Sequence, residues 1–393
     1  MHARSQTVLF ATLTVGTSVL LCFLFLEYVA TYFLYADTQQ NIDKEFDPVL
    51  GWRYKPGMYR VKPDSSFVSH RIHINELGLR GELPRKHSGR VRVIVLGDSF
   101  TFARQVRDEE MFTSQLEARL NDSFQDRYEV MNAGVEGYGT AQELLLMQEL
   151  AKAGIVGNFY VLQVFTNDIM DNLRLDYDSL STVPFRPGFV LGPEQKLHLE
   201  HAPEKDKWHS GAEERGTSLR TVRVVAAAAE SYAQSRPALV RFAAGLGIAV
   251  SFPRMPGLIA GWYDEDVVRN GLPLMKELLR EIKSEAERQQ AKLLVLSMPS
   301  PLMVYPDTYR PILLHTFPNN AQVNVFISDV DKPARAVAQL CHELGVPLLD
   351  LYPILVRNNT KELYFPRDGH LQRAGHSIAA DALAERIATI LHH

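Results

Sequence analysis

The sequence predicts an α/β domain, a parallel sheet with helices on both sides, preceded by one membrane-spanning helix. Three observations carry this expectation. From residue 91 onward, short apolar runs alternate with segments of helical period, and repeated βα units imply a parallel sheet. Residues suited to chemistry follow those runs, where open α/β sheets place their ligands. Residues Thr7 to Leu26 carry no charge and are mostly Val, Leu, Phe, Ala and Thr.

The uncharged run comes first. A helix of its length rises about 30 Å, the thickness of a bilayer hydrocarbon core. Glu27 ends it, and Tyr28, Tyr32, Phe33 and Tyr35 follow as an interfacial aromatic belt would. Arg4 precedes the run, whereas Asp37, Asp43, Glu45 and Asp47 follow it with only Lys44 opposing. The positive-inside rule then places the N-terminus in the cytoplasm and everything after Ala36 outside, which is the periplasm if the cell is Gram-negative. A cleaved signal peptide fits less well, because the run exceeds the usual h-region of about 7–15 residues. It also lacks a small-x-small site, since Tyr28 stands two before Ala30 and Leu34 two before Ala36. Residues 1–36 are therefore read as an anchor. Residues 37–90 are read as an irregular segment with turn signals at Asp47-Pro48, Pro56-Gly57 and Pro63-Asp64.

Residues 91–393 form the main domain. Val91–Leu96, apolar except for Arg92, is a strand buried on both faces. Phe112, Leu116 and Leu120 stand at spacing four in a helix over 108–120, and Tyr128–Met131 is a second strand. Thr140 and Glu143 read as a capping box opening a helix that runs to Gly154. Phe159–Phe165 is a third strand. Residues 177–270, richer in Pro, Gly, His and Ala, are read as an insertion suited to be a lid, with a helical stretch around Val222–Gln234. Alternation resumes with Leu274, Leu278 and Ile282 on a helix and a strand at Leu293–Met298. A helix with Pro333 near its start and Gly345 after its end follows. A strand at Val346–Leu351 and a helix carrying Ile378, Ala382 and Ile387 complete the pattern.

Composition narrows the function. Of 393 residues, 46% are hydrophobic and 22% charged, proportions that exclude a disordered chain, a collagen repeat and a polytopic transporter. A net charge of −4 argues against a nucleic-acid footprint, which needs clustered Lys and Arg. Two cysteines, Cys22 and Cys341, exclude a disulfide framework and an all-cysteine zinc site. Cys341 falls in an amphipathic helix and reads as an inert buried thiol. His198 and His201, and His70 and His73, read as solvated surface pairs and not as metal ligands, and no His-Glu-x-x-His occurs.

Four polar or glycine-rich blocks lie at the expected strand ends. They are Gly97-Asp98-Ser99-Phe100-Thr101, Asn132-Ala133-Gly134-Val135-Glu136-Gly137-Tyr138-Gly139, Phe165-Thr166-Asn167-Asp168, and Asp368-Gly369-His370-Leu371. Each supplies one part of an acyl transfer. A serine hydroxyl needs a base, which His370 provides near neutral pH. Asp368 can fix the imidazole tautomer and stabilise the imidazolium. The oxyanion needs preorganised donors, for which the backbone N–H groups of Ser99 and Gly137 and the side-chain amide of Asn167 are available. Singly each motif is weak, and their weight lies in falling in order at one edge of one sheet. An α/β-hydrolase elbow would need Gly-x-Ser-x-Gly, and the second glycine is absent after Ser99. Gly134, Gly137 and Gly139 stand in the reverse of the dinucleotide fingerprint order.

These blocks resemble those of the SGNH hydrolases, the GDSL-type esterases and lipases, over residues 91–175 and 272–393. The preamble Asp47-Pro48, Gly51-Trp52, Pro56-Gly57 and Asn75-Glu76-Leu77-Gly78-Leu79-Arg80-Gly81 is similar to that of membrane-anchored bacterial members. The resemblance implies a flavodoxin-like three-layer α/β/α fold. It implies Ser99 as nucleophile, His370 as base with Asp368 behind it, and Ser99, Gly137 and Asn167 in the oxyanion hole, with no metal or organic cofactor. Phe100 replaces the family's usual Leu, and Asp-x-His replaces the more common Asp-x-x-His. The expected function is cleavage of acyl esters through a Ser99 acyl-enzyme, first on esters of envelope carbohydrates or small acyl esters. O-acyl transfer to a polysaccharide, lipid hydrolysis and a non-catalytic anchored scaffold are the alternatives. The expected partners are an acyl-ester substrate and, through the N-terminal helix, the membrane. The sequence names no protein partner.

Overall fold

The structure is a computed structural model that describes residues 14–22, 24–26, 28, 42–61, 68–84, 89–124, 127–176, 181–208, 261–310, 321–365 and 368–392. The chain divides into two compact units, one of Met1–Asn41 and Gly211–Ser251, the other of Ile42–Ser210 and Phe252–His393. In the first unit the described residues 14–22, 24–26 and 28 are helical. Their large apolar side chains are exposed, Val15 by 64% and Phe25 by 65%. Among the described residues no helix is long and apolar enough to cross a membrane. The expected span of Thr7 to Leu26 lies partly outside them, and the expected helix at Val222–Gln234 wholly so.

In the second unit, much of the segment expected to be irregular folds as two antiparallel hairpins. β1 (Lys44–Asp47) pairs with β2 (Gly51–Tyr54), placing Lys44 opposite Tyr54 and Phe46 opposite Trp52. Asp47 makes the turn between them: its Oδ1 accepts from the N–H groups of Val49 and Leu50, both at 2.8 Å. β3 (Gly57–Val61) pairs with β4 (His70–Ile74). Asn75 then closes a second Asx-type turn, its Oδ1 accepting from Leu77 N at 3.0 Å and Leu79 N at 3.2 Å. The Asn75–Gly81 motif thereby delivers Arg80 into the interior, where its side chain is fully buried.

The central sheet contains β5 (Val91–Gly97), β6 (Tyr128–Gly134), β7 (Phe159–Val164), β10 (Lys292–Ser297) and β11 (Leu348–Asp350), in the spatial order β11-β10-β7-β5-β6 and all parallel. The remaining pair, β8 (Gly188–Leu191) and β9 (Leu197–His201), is a separate hairpin. Counted along the chain, the sheet order is 2-1-3-4-5, with its switch point between β5 and β7. The apolar runs were legible as strands because both faces are covered. Ile94 and Leu96 enter one core and Val93 and Val95 the other, and β7 and β10 divide in the same way.

The helices are α1 (Ser99–Phe102), α2 (Phe112–Phe124), α3 (Thr140–Lys152), α4 (Asp168–Asn172), α5 (Glu265–Arg288), α6 (Pro301–Val304), α7 (Ala321–Ser328), α8 (Lys332–Leu344), α9 (Tyr352–Arg357) and α10 (Arg373–His392). On one face α3, α5 and α8 bury Leu144, Leu278 and Val337. On the other, α2 and α10 bury Leu116 and Leu383. The result is the expected three-layer arrangement.

One local expectation fails. The N-cap of α3 is Gly139, not Thr140, and no side chain of that cap bonds the helix. The capping oxygen comes from α4 instead: Asn172 Oδ1 accepts from Ala141 N at 3.0 Å. Glu143 is turned into the core, where neither carboxyl oxygen has a hydrogen-bond partner among the described residues. Tertiary packing has replaced a local capping box with a long-range one.

Candidate active site

The turn after β5 is held from several directions. Asp98 is the N-cap of α1, its Oδ1 accepting from Phe100 N at 2.9 Å. Gln163 Oε1 on β7 accepts from Thr101 Oγ1 at 2.9 Å and from Asp98 N at 3.3 Å. Asn132 Nδ2 on β6 donates to Thr101 O at 2.6 Å. Gly134 admits this turn, since a Cβ there would lie 2.3 Å from Phe102 N. Arg80 closes the far end, donating to Phe102 O at 2.9 Å, to Ala103 O and to Val106 O at 2.8 Å. It also pairs with Asp108 at 2.6 Å.

The result is a fixed Ser99 facing a fixed histidine. Ser99 Oγ and His370 Nε2 are 2.8 Å apart, and His370 Nδ1 and Asp368 Oδ1 are 2.7 Å apart. The hydrogen-bond pattern assigns the proton to Nδ1, leaving Nε2 to accept from the serine. Asp-x-His spacing is sufficient because the loop folds back: His370 N also donates to Asp368 Oδ1, at 3.2 Å. Gln105 Nε2 donates to the other carboxylate oxygen at 3.1 Å. Phe100 lies with its ring centroid 4.8 Å from that of His370 and 4.3 Å from that of Phe165, supporting the imidazole.

Electrostatics match this geometry. Burial would raise the Asp368 carboxyl, but the charge and hydrogen bonds of His370, with Gln105, outweigh it and hold the group at about 2. Burial would lower His370, but the Asp368 carboxylate outweighs it and holds the imidazole above its ordinary value. Beneath the serine, burial pushes Asp98 up to about 6 against its hydrogen bonds. Glu143 and Asp168 are pushed well above the carboxylate range by burial, reinforced by neighbouring carboxylates.

The other expected residues gather at the same sheet edge. Gly137 lies three residues beyond β6 and Asn167 three beyond β7, on either side of β5 and Ser99. Gly137 adopts φ +83°, a conformation that favours glycine. The Asn167 amide donates to Asp171 Oδ2 at 2.8 Å. Such a constellation can activate a hydroxyl, hold a carboxylate behind the base and present N–H donors to a developing oxyanion. Among the described residues, no group of three or more His, Cys, Asp or Glu is placed to hold a metal ion. Cys341 is buried in α8, and burial pushes its thiol up to about 12.

Several residues at the site escaped sequence reading. Arg186, from the segment read as an insertion, donates to Gly137 O at 2.7 Å and pairs with Asp171 at 2.9 Å. Lys44 and Trp52, from the first hairpin, reach the carbonyl of Glu136. Gln105 and Arg80 act as above. The signals in the sequence were the preamble motifs Gly51-Trp52 and Asn75–Gly81, the second of which carries Arg80.

No family model and no curated protein matches the chain. Solved structures similar to it include an α/β hydrolase enzyme from the metagenome of Lake Arreo, at 12% identity, TM-score 0.40, covering 76% of this chain and 95% of that one. An acetyl xylan esterase is similar at 16% identity and TM-score 0.38, covering 76% and 100%. A putative lipolytic protein of the G-D-S-L family from Desulfitobacterium hafniense is similar at 11% identity and TM-score 0.36, covering 76% and 99%.

Proposed function

We propose that this protein is a serine acyl-ester hydrolase of the SGNH type, acting through a Ser99 acyl-enzyme. The observation that carries the reading is the continuous hydrogen-bonded chain from Ser99 Oγ through His370 to Asp368, at 2.8 and 2.7 Å. Ser99 Oγ attacks the ester carbonyl carbon and its proton passes to His370 Nε2. The carbonyl π electrons move to oxygen, which accepts from the N–H groups of Ser99 and Gly137 and from the Asn167 amide. Collapse re-forms the carbonyl, breaks the ester C–O bond and expels the alcohol, which takes the proton from Nε2. Water repeats the sequence on the acyl-enzyme, releasing the acid and restoring Ser99. Asp368 stays ionised throughout and stabilises the imidazolium.

The substrates of this reading are acyl esters of envelope carbohydrates or small acyl esters, reached from an N-terminal anchor with the catalytic domain outside the cytoplasm. Supporting the anchor are the uncharged run Thr7 to Leu26 and the exposed apolar side chains of its described helical residues. A reporter fused after His393 should be active only outside the cytoplasm, and cytoplasmic activity would reverse the topology.

The chemistry is tested by treating the full-length chain with a fluorophosphonate and locating the adduct by mass spectrometry. An adduct on Ser99 that is lost in His370→Ala supports the reading, and an unlabelled Ser99 in the folded chain overturns it. Incubating an acyl donor with and without a sugar acceptor then separates hydrolysis from transfer, since only transfer yields the acylated sugar.

A further inference from the structure

The oxyanion donor of the proposed reaction is held from outside the three-layer core. The N–H of Gly137 belongs to the peptide that begins at the Glu136 carbonyl. A trans peptide is planar, so fixing the direction of that carbonyl fixes the opposite direction of the N–H. The Glu136 oxygen is gripped twice, by Lys44 Nζ at 3.2 Å and by Trp52 Nε1 at 3.3 Å. Both residues belong to the β1–β2 hairpin, where Lys44 stands opposite Tyr54 and two residues further Phe46 stands opposite Trp52.

The hairpin is itself tied to the loop it grips. Tyr54 OH donates to Glu136 Oε2 at 2.9 Å, Tyr138 OH donates to Trp52 O, and Gln142 Nε2 donates to Leu50 O at 2.6 Å. The ammonium of Lys44 lies 5.6 Å from the Trp52 ring centroid and 5.2 Å from that of Tyr54, contacts that favour its place beside the carbonyl. The next peptide is secured as well, because Arg186 donates to the Gly137 oxygen at 2.7 Å.

Resting on the reading of Gly137 as an oxyanion donor, we propose that Lys44 and Trp52 are positioning residues of the oxyanion hole, aiming the Gly137 N–H and polarising its peptide. A cation on the amide oxygen draws electron density from the nitrogen and strengthens the N–H as a donor, as hydrogen bonds in a chain reinforce one another. The benefit grows as negative charge develops on the substrate oxygen, so it belongs to the transition state. Neither side chain touches substrate in this scheme.

The test is the rate of Ser99 labelling by a fluorophosphonate, resolved into saturating rate and half-saturating concentration, on the full-length chain. Removing a whole oxyanion donor costs about 10²–10³ in rate. Lys44→Met leaves the donor in place but unaimed, and the saturating rate should fall about ten-fold, with the half-saturating concentration within about two-fold of wild type. Lys44→Arg, which keeps the cation, should recover most of the rate. Trp52→Phe, which keeps the ring and loses the N–H, should fall in the same sense and stands in for Lys44→Met should that variant not fold. A saturating rate within two-fold of wild type in the folded variant overturns the inference. Ser99→Ala separates it from the underlying reading: if wild type labels at Ser99 and Ser99→Ala does not, an unaffected Lys44→Met removes the clamp and leaves the serine hydrolase intact. Absence of Ser99 labelling in wild type overturns both.

Discussion

Asp368→Asn probes the least conventional part of the site, the two-residue spacing between acid and base. The wild-type carboxylate sits 2.7 Å from His370 Nδ1, its side chain is 16% exposed, and Gln105 occupies its second oxygen. Its folded-state value of about 2 against an ordinary 3.8 is a difference of nearly two units. At 1.36 kcal/mol per unit, the site prefers the ionised over the neutral group by about 2.5 kcal/mol. The folded value lies below the unfolded one, so this stabilisation is fully present above about pH 4 and is lost as pH falls through about 2. Asparagine has the shape of the neutral acid, so the variant should lose up to that amount of stability at neutral pH. Turnover should fall much further, by about 10³–10⁴, because the tautomer is no longer fixed and the imidazolium is no longer stabilised. KM should change little. The acid limb of the kcat/KM profile gives the sharper sign. Burial lowers the His370 value and Asp368 more than offsets it, so removing the charge should move the limb to lower pH. Steady-state kinetics from pH 4 to 9 on a chromogenic acetate ester, with urea denaturation alongside, would measure all of these. Turnover within ten-fold of wild type, or a limb that stays or moves upward, would refute the relay through Asp368.

Three other substitutions have expected outcomes. Asn167→Ala should lower kcat by about 10²–10³ if its amide serves the oxyanion, while Arg186 keeps Asp171 paired; near-normal turnover would remove Asn167 from the site. Asp98 is 1% exposed with a folded value of about 6, above its ordinary 3.8, so its contribution is present below about pH 4 and lost as pH rises through 6. Asp98→Asn keeps the oxygen that caps Phe100 and should gain about 3 kcal/mol over wild type between pH 4 and pH 8 in urea denaturation; parallel pH curves would count against it. Arg80→Met leaves three carbonyl oxygens at the end of α1 without their donor and should cost about 3–5 kcal/mol in chemical denaturation, a loss below 1 kcal/mol being the contrary result.

What could be read from the sequence follows from how each feature is encoded. The sheet was legible because β5, β7 and β10 are buried on both faces and leave runs that are apolar but for Arg92 in β5, Gln163 in β7 and the ends of β10. Ser99, His370 and Asp368 were legible because their chemistry is carried by residue type and their places by strand ends. The hairpins of residues 44–74 were not, since their strands are four or five residues long and mix polar with apolar positions. The supposed capping box at Thr140 and Glu143 satisfied every local rule and lost to Asn172, a partner that no short window contains.

The least legible features share one cause, and it bears on how the site is assembled. The two carbonyls flanking the Gly137 α-carbon each accept from a cation, Lys44 on Glu136 and Arg186 on Gly137, across sequence separations of 92 and 49 residues. Neither cation lies in a block that carries the SGNH resemblance. One comes from the hairpin before the sheet and the other from the segment between α4 and α5. The four blocks can therefore specify which atoms react while leaving the aim of the oxyanion donor to chain outside them. A core cut out at residue 91 would keep Ser99, His370 and Asp368 in sequence, yet lose Lys44, Trp52 and Arg80 together. Its serine would have its base, but not the groups that hold its turn and grip the Glu136 carbonyl.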